Sequence, residues 1–422
     1  MSGPFSGRVS SRVEQSIAWG VGLVRPERRT RGDLAAVAVI VVAALIGSVA
    51  LWLTSDARAT LSETAAEPLP KPPPPTSVPA TLHEAWRAPS TATPVPVIAP
   101  PAVVTGTGNE VVGHDPMTGR IAWRYARDIP LCTIGTEWDR AIAVFRKSHN
   151  CSEVTSLSGP TGERGPQRNT DAEFGTRLLG DGTYLTATGS RSFESWRSDL
   201  VRTQQFGIPP QLKNPENNME RPDCTYSSIA VGDGRIGAVE NCPGETGRIT
   251  AIKAHPKDDE KPDQVFSVSL GSRDASVVAV TDERVAVVMR DSGQLMLFDS
   301  SGRVVATYPV RTGPDAGDDN VRVENTAIGS RVYWHTGVDT IALDEKTLAP
   351  LWTSSDTLGA GTSLADRLVV PVDGGMAVLD PATGARERVI PVDRGGYTGP
   401  VRLNSTGPVV LEQRGDTLVA LR

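Results

Sequence analysis

The sequence predicts an all-β fold, an eight-bladed β-propeller with seven blades as the alternative, preceded by one transmembrane α-helix and a Pro-rich linker. Three observations carry that reading. The stretch Asp115 to Trp123 joins a tight turn to a short aromatic strand, and variants return at Asp299 to Gly302, from Asp344 to Trp352, and at Asp380 to Gly384. Such units fall within a period of roughly 35 to 45 residues carrying four short strands, which is how a propeller blade looks in sequence. Upstream of them, Leu34 to Leu53 runs without a charge or a proline.

The turn has a local cause. Asp115 can accept from the backbone two residues on, the following Pro presets φ, and Gly119 takes the positive φ that ends the turn. Asp380 and Gly384 repeat those roles. Across the chain, 41 Gly and 33 Pro suit many tight turns between short strands.

Residues 1–33 read as a cytoplasmic tail, in which Val13 to Val24 is mildly apolar. Six Arg face three acids there, a net of +3. The whole chain carries −6, so the rest is acidic, and no run of Lys or Arg tracks a phosphate backbone. Nucleic-acid binding is therefore not expected. Residues 34–53 span roughly 30 Å as a helix, the thickness of a bilayer core. A cleaved signal peptide is the competing reading, from the small-x-small pattern Ala57-Arg58-Ala59, but the apolar run is longer than usual for one. With arginines on the N-terminal flank, the anchor would leave its N-terminus in the cytoplasm and everything after Leu53 outside. The localisation expected is the cell membrane, single-pass, touching lipid through this helix.

Residues 54–82 are rich in Ala, Thr and Pro, with Pro72 to Pro75 in a row. Such a composition predicts an extended, stiff spacer reaching up to roughly 90 Å. Residues 83–422 are read as the propeller. His83 to Ala88 resembles Ile121 to Ala126, sharing Ala-Trp-Arg, and stands alone as an outermost strand. Val401 to Leu403, Val409 to Gln413 and Leu418 to Leu421 supply three strands that lack an outermost partner. Together they complete one blade and remove an open sheet edge. Seven further repeats lie between, beginning with Val95 to Ile98 and including the regular Ala275 to Val310.

The four cysteines, Cys132, Cys151, Cys224 and Cys242, form two pairs that each bracket successive strand patterns. In an antiparallel hairpin the start of one strand lies beside the end of the next, so Cys132–Cys151 and Cys224–Cys242 disulfides are predicted, with four free thiols as the alternative. Strand direction puts D-to-A and B-to-C loops on one face. Both disulfides belong there, with the long loops Gly207 to Asp223 and Arg311 to Val321. The spacer would enter from the other face.

Gly232-Asp233-Gly234 before a strand, Ile341 to Asp344 and Val378 to Gly384 into turns, and Trp123 and Trp352 in closing strands resemble the PQQ-like β-propeller repeat family. The closure through Trp86 is similar to that of the propeller lipoproteins of the bacterial outer-membrane assembly machinery. That likeness implies a propeller over residues 83–422. No lipobox cysteine follows the apolar run, so anchoring by helix is expected; no adjacent cysteines occur, so no quinone or other cofactor is expected.

Other chemistry is sparse. His83, His114, His149, His255 and His335 show no HxH or HExxH spacing and read as turn or surface residues. Asp315, Asp318 and Asp319 miss the order of a calcium loop, and Asp258-Asp259-Glu260 reads as a charged insertion. Trp86, Trp123 and Trp352 occupy equivalent places in the repeat, which makes them packing residues. The function expected is a non-catalytic scaffold binding cell-envelope or membrane proteins; the alternative is a glycan- or small-molecule-binding propeller or enzyme with its site near the axis, and a sensor is a third reading. An apolar patch on the disulfide face would favour the scaffold, and a central pocket with converging carboxylates and histidines its rival.

Overall fold

The computed structural model describes residues 30–56, 58–209, 221–257, 261–313 and 325–422. It divides into two compact units, Met1–Arg58 and Ala59–Arg422.

The first unit contains one helix, Arg31–Leu53, long and apolar enough to cross a membrane. It starts three residues before the expected span because Thr30 and Asp33 form a capping box. The Asp33 N–H donates to Thr30 Oγ1 at 3.2 Å, and the Thr30 N–H donates to Asp33 Oδ2 at 2.7 Å. The carboxylate is thereby absorbed into the cap. No side chain of this helix is buried against the rest of the protein, so its apolar surface is not accounted for by a protein core. The tail readings, Val13 to Val24 included, lie outside the described residues.

The second unit is an eight-bladed ring of four-stranded antiparallel sheets. Blade 1 runs Val97–Ala99, Ala102–Thr107, Glu110–His114 and Ile121–Ala126, from the axis outwards. Its first strand starts two residues later than expected, since Pro94 and Pro96 have no N–H to give a ladder. Blades 2 to 7 span 131–169, 178–207, 225–269, 275–309, 325–355 and 362–391. Blade 8 takes Val401–Thr406, Val409–Arg414 and Thr417–Leu421 from one end of the ring and Glu84–Pro89 from the other. In that closing pair Trp86 lies opposite Ala420 and Ala88 opposite Leu418.

Burial follows position in the blade. Inner strands have neighbouring blades on both faces, so Ala275–Val280 is buried at every residue and reads as an unbroken apolar run. The outer strand Val304–Pro309 alternates between exposed and half-buried. Cores form at the seams between blades. Where the ring closes, Val103 of blade 1 packs with Val409, Leu411, Leu418 and Ala420 of blade 8.

The expectation of a free spacer over 54–82 does not match this fold. Leu61–Glu63 is a strand added to the outside of blade 1, with Leu61 opposite Ala126 and Glu63 opposite Arg124. The Ala65 and Leu69 N–H groups donate to the Thr161 and Pro160 carbonyls in the turn of blade 2, at 2.9 and 3.0 Å. Leu69 and Leu82 are buried in separate cores of the ring. Pro72 and Pro73 lie against Gly407, between the first two strands of blade 8; a Cβ at Gly407 would sit 2.7 Å from Pro72 Cβ. Arg388 of blade 7 donates to the Val78 carbonyl at 2.7 Å. Polyproline composition keeps this segment extended, and two isolated leucines are enough to dock it.

Candidate interaction face and axial cavity

The two faces of the ring are built differently. The lower face carries the A-to-B and C-to-D turns. There Asp115 Oδ1 accepts from the Met117 and Thr118 N–H groups at 2.9 and 3.0 Å, and Asp380 Oδ1 accepts from Ala382 and Thr383 at 2.7 and 3.1 Å. Those backbone donors hold the Asp380 carboxyl below its usual range. Three of the lower-face turns receive the tryptophan of the preceding blade. The Trp86 indole N–H donates to the Pro116 carbonyl at 2.9 Å, Trp123 to Gly159 at 2.9 Å, and Trp352 to Pro381 at 3.1 Å. The ring of each lies flat on the turn glycine: a Cβ at Gly119 would meet Trp86 Cγ at 2.5 Å, and one at Gly384 would meet Trp352 Cδ2 at 2.5 Å. Trp86, Trp123 and Trp352 thus each reach from one blade to a turn of the next, and Asp115, Gly119, Asp380 and Gly384 belong to two of those turns. The strap of residues 61–82 lies over this same face, along blades 1, 2, 8 and 7.

The upper face carries the D-to-A and B-to-C loops, and its loops are stapled. Cys132 and Cys151 are disulfide-bonded with Cα atoms 6.1 Å apart, and Cys224 and Cys242 with Cα atoms 4.1 Å apart. Carboxylates do the same for other blades. Glu173, ahead of blade 3, accepts from the N–H groups of Ser190, Arg191 and Ser192 at 3.1, 2.8 and 2.7 Å. Glu240 takes Arg221 bidentately, at 2.7 and 3.1 Å. Asp274 takes Arg290 at 2.6 Å, and Asp339 takes Arg311. Fully buried Glu412 bridges Arg394 and Arg414, at 2.8 and 2.6 Å. Exposed pairs of this kind add little stability, but a buried bidentate pair fixes a loop's position. The long loops expected here lie partly outside the described residues, over 210–220 and 314–324, as do Asp315, Asp318, Asp319 and the insertion 258–260.

The inner strands surround an axial cavity of about 270 Å³, lined by blades 8, 1, 2, 3 and 4. Its polar side chains include Glu137, Arg177 and Asn404. Burial and the neighbouring Asp181 push the Glu137 carboxyl up to about 7, although the Gly182 N–H pulls the other way. Burial, and then Arg402, lower the Arg177 guanidinium. No histidine lines this cavity among the described residues. On the upper face the large exposed apolar side chain among the described residues of the ring is Phe174, under the Arg146 guanidinium at 4.5 Å; the ring's others sit on outer strands or lower turns, and the rest belong to the helix Arg31–Leu53. Among the described residues, neither sign that would separate scaffold from axial site is present in its expected form.

Two histidines differ from the surface reading. His114 is buried, with Thr105 Oγ1 at 2.9 Å and the Gly119 carbonyl at 3.0 Å from its ring nitrogens, and it stacks on Trp86. Burial lowers its pKa. His335 is buried against the Thr357 carbonyl at 3.0 Å. Both are packing residues with their polar atoms engaged. The staples Glu173, Glu240, Asp339 and Glu412 were missed by sequence reasoning, since their partners come from other strands and loops.

No protein-family model and no curated protein matches the chain significantly. Solved structures do. BamB from Moraxella catarrhalis is similar over 81% of this chain and 100% of its own, at 14% identity and a TM-score of 0.50. Sqt1 from Saccharomyces cerevisiae is similar over 85% of this chain and 99% of its own, at 12% identity and a TM-score of 0.50. At such identities the likeness is one of fold, and the PQQ-like character stays a resemblance carried by the repeat residues.

Proposed function

We propose that this chain is a membrane-anchored propeller that holds a protein partner of the cell envelope on its upper face, outside the cytoplasm and without catalysing a reaction. One observation carries the reading: the upper-face loops are pinned by two disulfides and by carboxylate staples, while the lower face is covered in part by the chain's own strap. Pre-organised loops reduce the ordering cost of association, which is what a docking face needs. Cystines suit an oxidising compartment, and the apolar helix Arg31–Leu53 suits an anchor. The likeness to BamB is one of fold and leaves this role to be tested.

Photo-crosslinking in intact cells tests this. A crosslinking residue at Phe174 on the upper face is expected to trap a discrete envelope protein, and one at Thr118 on the lower face is not. Trapping only from Thr118, or turnover of an envelope substrate by the purified full chain at ordinary enzymatic rates, would overturn the reading.

A further inference from the structure

A second cavity lies away from the axis, in the groove between blades 2 and 3. It has a volume of about 640 Å³, enough for a small metabolite or a dipeptide. Glu194, in the middle of the strand Ser192–Trp196, lines it with a side chain only 4% exposed. Neither of its carboxylate oxygens accepts a well-formed hydrogen bond, the Trp196 indole N–H contributing only a weak one, and its ion pair with Arg202 Nη1 is long, at 3.8 Å. On the facing wall the buried Thr170 hydroxyl also has no partner. A buried carboxylate ordinarily takes several donors, and this chain leaves that capacity unused.

The lining identifies what would use it. Lys147, Arg168 and Arg202 stand against Glu153, Asp171 and Glu194, so both signs of charge are present in equal number. A lone anion would meet the unsatisfied Glu194, and a metal ion would meet three cations. A sugar would find no aromatic face to stack on, for Val201 is the apolar residue of the lining. A zwitterion answers every feature: an ammonium brings three donors to Glu194 and Thr170, and a carboxylate reaches Arg202, which is partly exposed at the rim. We infer that this groove binds a small zwitterion, a free amino acid or a short peptide, with its ammonium on Glu194 and its carboxylate toward Arg202. Burial raises the Glu194 carboxyl, against the weaker pull of Arg168, Arg202 and the Trp196 indole, and Asp171 adds to the rise. An arriving ammonium is the charge that reverses it. Although Lys147, Ser148 and Asn150 of the groove border the upper-face B-to-C loop of blade 2, the assignment does not rest on the upper-face reading and stands or falls without it.

The test is calorimetric titration of the full chain in detergent with the common free amino acids and dialanine. N-acetyl amides of the same amino acids and glucose serve as controls. At least one zwitterion is expected to bind saturably, with its N-acetyl amide and the Glu194→Gln variant each weaker by about tenfold or more. Should Glu194→Gln fail to fold, Arg202→Gln and Thr170→Val carry the same expectation. Absence of binding at millimolar ligand, equal binding of the uncharged controls, or binding unchanged in the folded variants would overturn the assignment.

Discussion

Gly384 and Gly374 both sit at positive φ, 72° and 68°, yet they answer to different constraints. At Gly374 a Cβ would meet nothing within 4 Å, whereas at Gly384 it would collide with Trp352. Gly374→Ala therefore incurs backbone strain alone, about 1 kcal/mol, while Gly384→Ala adds overpacking of about 1–3 kcal/mol. Urea unfolding of the two variants should show that gap; equal losses would mean that Trp352 gives way freely. Glu137 offers a second test at this scale. Its folded-state pKa, pushed up to about 7 by burial and Asp181, lies above the usual 4.5, so the folded state holds its proton longer than the unfolded chain does. The contribution is present below about 4.5 and is lost as pH rises to about 7. Glu137→Gln should match the parent near pH 4 and exceed its melting temperature above pH 7, with the difference growing between; no pH-dependent difference would count against the carboxyl being perturbed.

At the scale of single elements, each disulfide joins a D-to-A junction to a B-to-C junction on the upper face and so closes the A–B hairpin between them, at sequence separations of 19 for Cys132–Cys151 and 18 for Cys224–Cys242. Constraining a loop of that length stabilises by about 3 kcal/mol. Replacing Cys132 and Cys151 by Ala should cost about that much and speed amide exchange around Asn150 to Ser152 while leaving the lower-face turns protected. Uniform loosening of both faces would show that the bridge supports the blade rather than its loop. Much of this element-level architecture was legible. Turns such as Asp380 to Gly384 announce themselves, because a carboxylate, a preset φ and a glycine within five residues suit little else. Strand periodicity did the same for Ala275–Val280. Glu412 and Glu194 were not legible, since one looks like any strand carboxylate until Arg394 and Arg414 converge on it, and the other until a groove forms beside it. Leu61–Glu63 has no strand signal of its own and is recruited by the open edge of blade 1.

For the whole molecule, the departure from expectation is the strap. Its amides at Ala65 and Leu69 are bonded to blade 2, so they should exchange slowly although the surrounding sequence reads as a solvated linker. Leu69→Asp should release them and cost about 2–4 kcal/mol, because a charge would enter a core of apolar side chains. Fast exchange at both amides in the parent would mean that the strap is not docked in solution. Ring closure has a further implication, for biogenesis. The strand holding Trp86 emerges early in synthesis, and Leu418 to Leu421, the edge it must pair with, emerges after every other blade. Until then the nascent chain carries two unsatisfied sheet edges and its final seam stays wet. A circle that seals this late leaves its open strand edges available for pairing with other chains until residues 418–421 have been made.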